Sequence, residues 1–215
     1  MNELALFAGA GGGLLGTRLL GWRCVCAVEI DPYCQAVMLA RQADGLLDPF
    51  PIWADVRDFD GRPWRGIVDV VTAGWPCQPH STAARGRNAA DTMWDELVRV
   101  IDEVCPAWII LENVLERSYP APLAPARIDC ADLGAPHQRP RYWLVAHADS
   151  DSQPSKPING EVAALQGNAR LDWWKECPAE VVGVDDGVAH RVDRLKALGN
   201  GQVPPVVRAA WELLS

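Results

Sequence analysis

Three observations on the 215-residue sequence predict an α/β fold, a doubly wound and mostly parallel sheet. Apolar runs of strand length alternate with helix-period patterns through the first half. Ile67 to Ala73 reads as the fully buried kind of strand that parallel sheets use. Residues able to do chemistry fall where the runs end, at the glycines from Gly9 to Gly13 and at Glu29, Asp55, Cys77 and Glu112. Sheets of this class bind ligands at the carboxyl ends of their strands.

Taken in order, Leu4 to Phe7 is a short buried strand that runs into the glycine-rich turn, with a helix from Leu14 to Leu20 stopping at Gly21. Cys24 to Val28 is the second strand. Pro32 to Ala43 is a helix, with proline suited to its first turn. Pro51 to Ala54 and Ile67 to Ala73 are further strands, and Asp91 to Val104 has helical period. Ala107 to Leu111 and Tyr142 to Ala146 complete the strands, and Val203 to Leu214 closes the chain as a helix. From His147 to about His190 the periodicity fails and Ser, Pro, Asn and Gly punctuate the chain. The expected organisation is a domain made of 1–147 and 191–215, with a small irregular insertion at 148–190.

The composition, 49% hydrophobic, supports a substantial core. No apolar run is long enough to cross a bilayer, and the first residues lack a basic leader, so a cytoplasmic protein with no membrane partner is expected. Seven cysteines stand at irregular spacings. Cys24 and Cys26 are one residue apart, which is not zinc spacing, and no metal is expected. Six cysteines read as small, mostly buried hydrophobes; Cys77 differs in its setting. The formal charge of −8 weighs against nucleic acid as a partner, although a local basic patch can override net charge.

The glycines Gly9, Gly11, Gly12 and Gly13 let backbone approach a ligand closely after the first strand. That turn serves a nicotinamide cofactor, S-adenosylmethionine or a plain tight turn equally well. Glu29 at the next strand end suits ribose hydroxyls and Asp55 an adenine amino group; surface carboxylates capping helices are the plainer reading. Gly74-Trp75-Pro76-Cys77-Gln78-Pro79-His80-Ser81 is a proline-bounded loop that sets a cysteine up for reactivity rather than packing. Glu112, followed by Asn113 and Val114, brings an acid to the neighbouring strand end, as attack on a ring that must be protonated requires. Arg139 and Arg141 lie two apart before a strand, so both face one side and can grip a phosphate or a carbonyl oxygen. Gly199-Asn200-Gly201-Gln202-Val203 either caps the last helix or completes a cofactor pocket.

In this order the segments resemble the cytosine-5-specific DNA methyltransferase family over residues 3–147 and 191–214. Phe7 to Gly13, Glu29 and Asp55 are similar to its cofactor motifs, and Gly74 to Pro79 to its nucleophile motif. Glu112-Asn113-Val114 is similar to its acid motif, His137 to Arg141 to its arginine motif, and Gly199 to Val203 to its final asparagine motif. Trp75 and His80 stand where phenylalanine is usual, Ala5 for a frequent aspartate, and His137 for glutamine; none of these removes a reacting group.

The resemblance implies a Rossmann-like methyltransferase domain that uses S-adenosylmethionine to methylate carbon 5 of cytosine in DNA. Cys77 would attack carbon 6 of a base flipped out of the duplex, and Glu112 would hydrogen-bond ring nitrogen 3. Arg139 and Arg141 would orient the base, Arg141 at its carbonyl, and Pro76 and Asn113 would help hold the ring. Phe7, Gly9, Gly11, Gly12, Glu29, Ile30, Asp55, Val56 and Asn200 would line the cofactor site. DNA contacts would come from Gln78, Ser81, Arg85, Arg87, Arg191, Arg194 and Lys196, with the loop carrying Arg85 and Arg87 acting as a lid. The family reads its target with a region after the arginine motif; here that region is short and holds eight acidic against three basic residues. It is expected to be a reduced recognition insertion, in a monomer, with a separate specificity partner as the other option. A phage or bacterial restriction–modification setting suits so compact a chain. Two alternatives stay open: a transfer RNA cytosine-5 methyltransferase, and a non-catalytic binding relic of the family.

Overall fold

The computed structural model describes residues 1–76, 93–148 and 191–215, save the side chains of Arg191 and Leu195. Cys77, Gln78, Ser81, Arg85, Arg87 and almost all of the 148–190 insertion therefore lie outside the described residues.

Seven strands form one sheet: β1 (Asn2–Leu6), β2 (Arg23–Val28), β3 (Ile52–Trp53), β4 (Val70–Ala73), β5 (Trp108–Asn113), β6 (Ala126–Asp129) and β7 (Pro140–His147). Their spatial order is β3-β2-β1-β4-β5-β7-β6. The first five pair in parallel; β7 runs antiparallel to β5, and β6 antiparallel to β7. The strand order reverses between β1 and β4, which opens a crevice above their carboxyl ends.

The described helices are α1 (Gly12–Arg18), α2 (Pro32–Ala43), α3 (Trp94–Val104), α4 (Arg191–Asn200) and α5 (Pro204–Leu214). α2 has the bounds read from the sequence, because its start is doubly specified: Pro32 opens the first turn, and the Asp31 carboxylate accepts a hydrogen bond from the Tyr33 amide at 2.9 Å. α1 begins two residues earlier than expected, directly after Gly11 in the left-handed region, and ends at Arg18. β4 is shorter than the apolar run, since Ile67 and Val68 close a turn on the Trp64 carbonyl at 3.0 and 3.1 Å.

Alternation along the strands sorts the core onto both faces of the sheet. Leu4, Leu6, Val71 and Leu111 pack with Leu97, Val100 and Val104 of α3 on one face. On the other, Val70 and Ile110 meet Val206, Val207 and Ala210 of α5, while Ala5 and Ala27 meet Leu14 of α1 and Met38 of α2. α1 and α5 approach closely at Gly16, where a Cβ would lie 2.6 Å from the Pro204 carbonyl oxygen. The expectation that the structural cysteines are buried holds for Cys24, Cys26, Cys34 and Cys130 and is corrected at Cys105. That residue is exposed because it ends α3 with a left-handed backbone, φ 52°.

Candidate active site

Sharp turns leave the ends of β1, β2, β4 and β5 toward the crevice. After β1, Phe7 and Gly9 both take positive φ, 54° and 55°. A side chain rarely tolerates that backbone, so Phe7 is a strained position. Among the described residues, nothing lies within 4 Å of where a Cβ on Gly9 would stand. The turn is held by Glu29, which is buried and whose two oxygens accept from the Gly9 amide at 2.7 Å and the Asp31 amide at 2.8 Å. One carboxylate thereby fixes both the glycine turn and the start of α2. It still keeps acceptor positions on each oxygen, because a carboxylate has about four.

These turns border a cavity of about 650 Å³ whose wall includes Phe7, Gly9, Glu29, Ile30, Asp55 and Val56. Asn200, Lys196, Pro76, Asn113, Glu112 and Arg141 border it as well. Ile30 is 61% exposed, an apolar surface offered at the rim. Asp55 caps the turn Val56–Asp58 and binds Arg57 with both oxygens, at 2.9 and 2.6 Å, which holds its carboxyl below the usual range.

Gly11 and Gly12 are not in that wall. A Cβ on Gly11 would meet Met38 at 3.2 Å, and one on Gly12 would strike the Gln202 carbonyl. Their lack of side chains serves packing against α2 and against Gln202.

The acid side is built on β5 and β7. β5 is in register with β4 so that Leu111 pairs with Ala73, which sets Glu112 level with Gly74. Glu112 is buried, with Arg141 Nε 3.0 Å from Oε1 and Gln202 Nε2 3.2 Å from Oε2. Burial pushes its carboxyl well up, only partly offset by Gln202, Arg141 and Arg139. Burial thereby favours the protonated form, the form that a general acid needs.

The two arginines share a neighbourhood and grip different partners. Arg141 pairs with Glu112, while Arg139 Nη2 donates to the carbonyls of Gly199 at 2.8 Å and Gly201 at 2.5 Å. Arg139 therefore fixes the segment that carries Asn200. Asn113 is 2% exposed, its Nδ2 donates to the Trp75 carbonyl at 3.1 Å, and its Oδ1 accepts from the Leu115 amide at 3.3 Å. With both ends of the amide engaged inside the chain, it anchors the turn that leads to Cys77. Trp75 is wedged edge-on between Trp94 and Tyr119, centroids 5.3 and 4.9 Å away. Pro76, the last described residue before the cysteine, is exposed at the cavity.

Among the expected DNA contacts, Arg194 is exposed on α4. Lys196, on the same helix, forms an ion pair with Asp31 at 2.7 Å across the cavity rim. Lys196 thus belongs at least as much to the cavity as to a DNA surface. Gln202 was overlooked by sequence reasoning; only its place beside Asn200 hinted at the site.

The family described as C-5 cytosine-specific DNA methylase matches residues 1–117 of this chain. The protein belongs to that family. Among curated relatives, the type II methyltransferase M.NgoMIV of Neisseria gonorrhoeae is 36% identical over 116 residues, covering 53% of this chain and 35% of the relative. M.NlaX of Neisseria lactamica is 28% identical and covers 89% of this chain and 65% of its own. The chain thus spans about a third of the first of these relatives and less than two thirds of the second. Dnmt2 methyltransferase of S. pombe shares the fold, with a TM-score of 0.57 at 17% identity, over 79% of this chain and 55% of that one. A putative DNA modification methyltransferase encoded in an E. coli prophage does so at 0.53 and 23%, over 68% and 46%. The mixed, mostly parallel sheet is the Rossmann-like arrangement expected from the sequence. Among the described residues no helix is long and apolar enough to cross a membrane.

Proposed function

We propose that this protein methylates carbon 5 of cytosine in DNA through a covalent adduct on Cys77, with S-adenosylmethionine as donor. The observation that carries the reading is Glu112, a buried carboxyl pushed toward its protonated form, at the strand end next to the one that leads into Cys77.

The large cavity fits the donor. Glu29 keeps acceptor positions for ribose hydroxyls, Asp55 for an amino group, and Ile30 and Phe7 offer apolar surface to a flat ring, with Asn200 closing the far side. When bound, S-adenosylmethionine supplies an electrophilic methyl group. The chain supplies the rest. The Cys77 thiolate adds to carbon 6 of a cytosine taken out of the stack, because carbon 5 is a poor nucleophile until that addition. Glu112 gives its proton or hydrogen bond to ring nitrogen 3, which takes up the electron density that the thiolate pushes in. Arg141 holds Glu112 in line and lies where it can reach the base carbonyl. Asn113 and Trp75 fix the approach of the loop, and Arg139 fixes the segment bearing Asn200. Loss of the carbon 5 proton then expels the thiolate and restores the ring.

DNA is the proposed partner of a monomeric chain, bound through Gln78, Ser81, Arg85, Arg87, Arg191 and Arg194. The 148–190 insertion is proposed as a reduced recognition region, unless a separate protein supplies specificity. The test is incubation of the purified chain with labelled S-adenosylmethionine and either duplex DNA or transfer RNA, followed by nucleoside mass spectrometry. 5-Methyldeoxycytidine from DNA is the expected product. Label confined to RNA, or to adenine or cytosine N4, would overturn the proposal.

A further inference from the structure

Gln202 stands at the meeting point of three strand ends, and the glycines around it have no side chains for that reason. A Cβ on Gly13 would run into Gln202 Oε1, and one on Gly12 into the Gln202 carbonyl. A Cβ on Gly74 would lie 2.9 Å from both Gln202 Nε2 and Glu112 Oε2. The amide thus bridges the glycine turn after β1, the first residue after β4 and the acid on β5. Its own backbone position is fixed by Arg139, which grips the carbonyl of Gly201 next to it. Around this point is a small cavity of about 30 Å³, bordered by Thr72, Gly74, Glu112 and Gln202.

We infer that Gln202 is a positioning residue for the acid: it holds the Glu112 carboxyl in one rotamer and follows its proton. This rests on the reading of Glu112 as the acid of the proposed reaction. Glu112 has two oxygens with different partners. Oε1 faces the permanently charged Arg141, which can only donate. Oε2 faces an amide, which has both a donor and an acceptor end. When Glu112 is ionised, Gln202 Nε2 donates to Oε2. When Oε2 carries the proton, the same amide turned over accepts it through Oε1. Among the described residues, Gln202 is the partner of Glu112 that can do both. An amide therefore stabilises the ionised carboxylate most, through the charge-assisted bond seen here, and still accommodates the proton, whereas leucine supports neither state and glutamate repels the ionised one.

The experiment follows Glu112 directly by carbon-13 NMR of its carboxyl in the full chain, with methyl transfer measured in parallel against pH. Gln202→Leu removes a hydrogen bond that favours the ionised form, so the Glu112 midpoint moves to higher pH. Gln202→Glu puts a second carboxyl beside it and moves the midpoint further in the same direction. In both variants kcat falls by roughly tenfold or more while affinity for S-adenosylmethionine stays within about twofold. Gly74→Ala, which wedges a methyl group between the two side chains and leaves both in the sequence, should move the midpoint the same way. It also guards against a folding defect specific to position 202. Unmoved Glu112 midpoints in folded variants would overturn the inference, as would a loss confined to cofactor affinity. The carboxyl titration does not need turnover, so it stands apart from a failure of the proposed function, which would appear as an inactive parent chain with the predicted midpoints intact.

Discussion

Glu29 and Glu112 are two buried glutamates at strand ends on opposite sides of one switch point, and their surroundings give them opposite properties. Both oxygens of Glu29 are bound by backbone amides, from Gly9 and Asp31. Backbone donors are fixed in place and cannot turn into acceptors, so Glu29 ties two turns together. Among the described residues Glu112 is met by two side chains, Arg141 and Gln202, and burial pushes it toward the neutral form. One half of the crevice uses its carboxyl to hold two turns, and in the other half burial favours the protonated carboxyl. The same residue type does two jobs because the partners differ, not the sheet.

The sharpest way to break that contrast is Glu112→Gln. The amide keeps the size and some of the hydrogen bonding but cannot deliver an acid proton. Methyl transfer should fall at least a hundredfold or so, with little change in the binding of S-adenosylmethionine. Near-normal turnover in radiolabel assays would remove Glu112 from the chemistry.

Glu29→Ala should do the reverse, affecting binding and stability before chemistry. It leaves the amides of Gly9 and Asp31 without their partner, at about 1–3 kcal/mol for each donor that water does not reach. Calorimetry should show weakened S-adenosylmethionine binding, and urea unfolding a lower midpoint. A folded variant with unchanged affinity would place Glu29 outside the cofactor site.

A third buried carboxylate sharpens the contrast through pH. Glu3 on β1 accepts from the hydroxyl of Thr17 and from that of Thr72 at 2.6 Å, and burial still raises its carboxyl from the ordinary 4.5. Because the folded value is raised, its contribution to stability is whole below about 4.5 and is lost as pH rises through the folded value. Glu3→Gln cannot ionise, so its stability relative to the parent should climb as pH rises above that point and then level off. A difference that stays constant with pH, measured by urea unfolding, would contradict this account of Glu3.

The smallest effect belongs to Lys196. Its ion pair with Asp31 holds the Asp31 carboxyl below its usual range, yet the lysine side chain is 61% exposed. Lys196→Met should therefore cost no more than about 1 kcal/mol of stability and barely change the salt dependence of DNA binding. A salt slope lowered by about one would restore Lys196 to the DNA surface.

What the sequence made legible follows the same division. α2 could be bounded to the residue because a capping aspartate and a first-turn proline mark its start, whereas β5 and β7 were found from their apolar runs but extend beyond them, to Asn113 in β5 and to Pro140 and His147 in β7. β6 went unread: it is four residues at the sheet edge, just after Pro120, Pro122 and Pro125, which signal loop. α4 was read only as a basic stretch, since a largely exposed helix has no apolar stripe to reveal it. At the site, residue types and strand ends pointed to Gly9, Glu29, Asp55, Glu112 and Arg141, the family resemblance added Phe7, Ile30 and Asn200, and all of them border one cavity. The partners chosen by Arg139, Asn113 and Gln202 were not legible, because they depend on which segments the fold brings together across 59, 38 and 90 positions.

The central claim is that Cys77 bonds to the ring while Glu112 protonates it. It is tested most directly by incubating the purified chain with S-adenosylmethionine and duplex DNA containing 5-fluorocytosine. The fluorine cannot leave as a proton does, so an adduct at carbon 6 would be trapped. The account predicts a protein–DNA complex that survives boiling in detergent, with the DNA attached to the Cys77 peptide by mass spectrometry, absent in Cys77→Ser and much reduced in Glu112→Gln. Methyl transfer by Cys77→Ser, or an adduct on another residue, would contradict it.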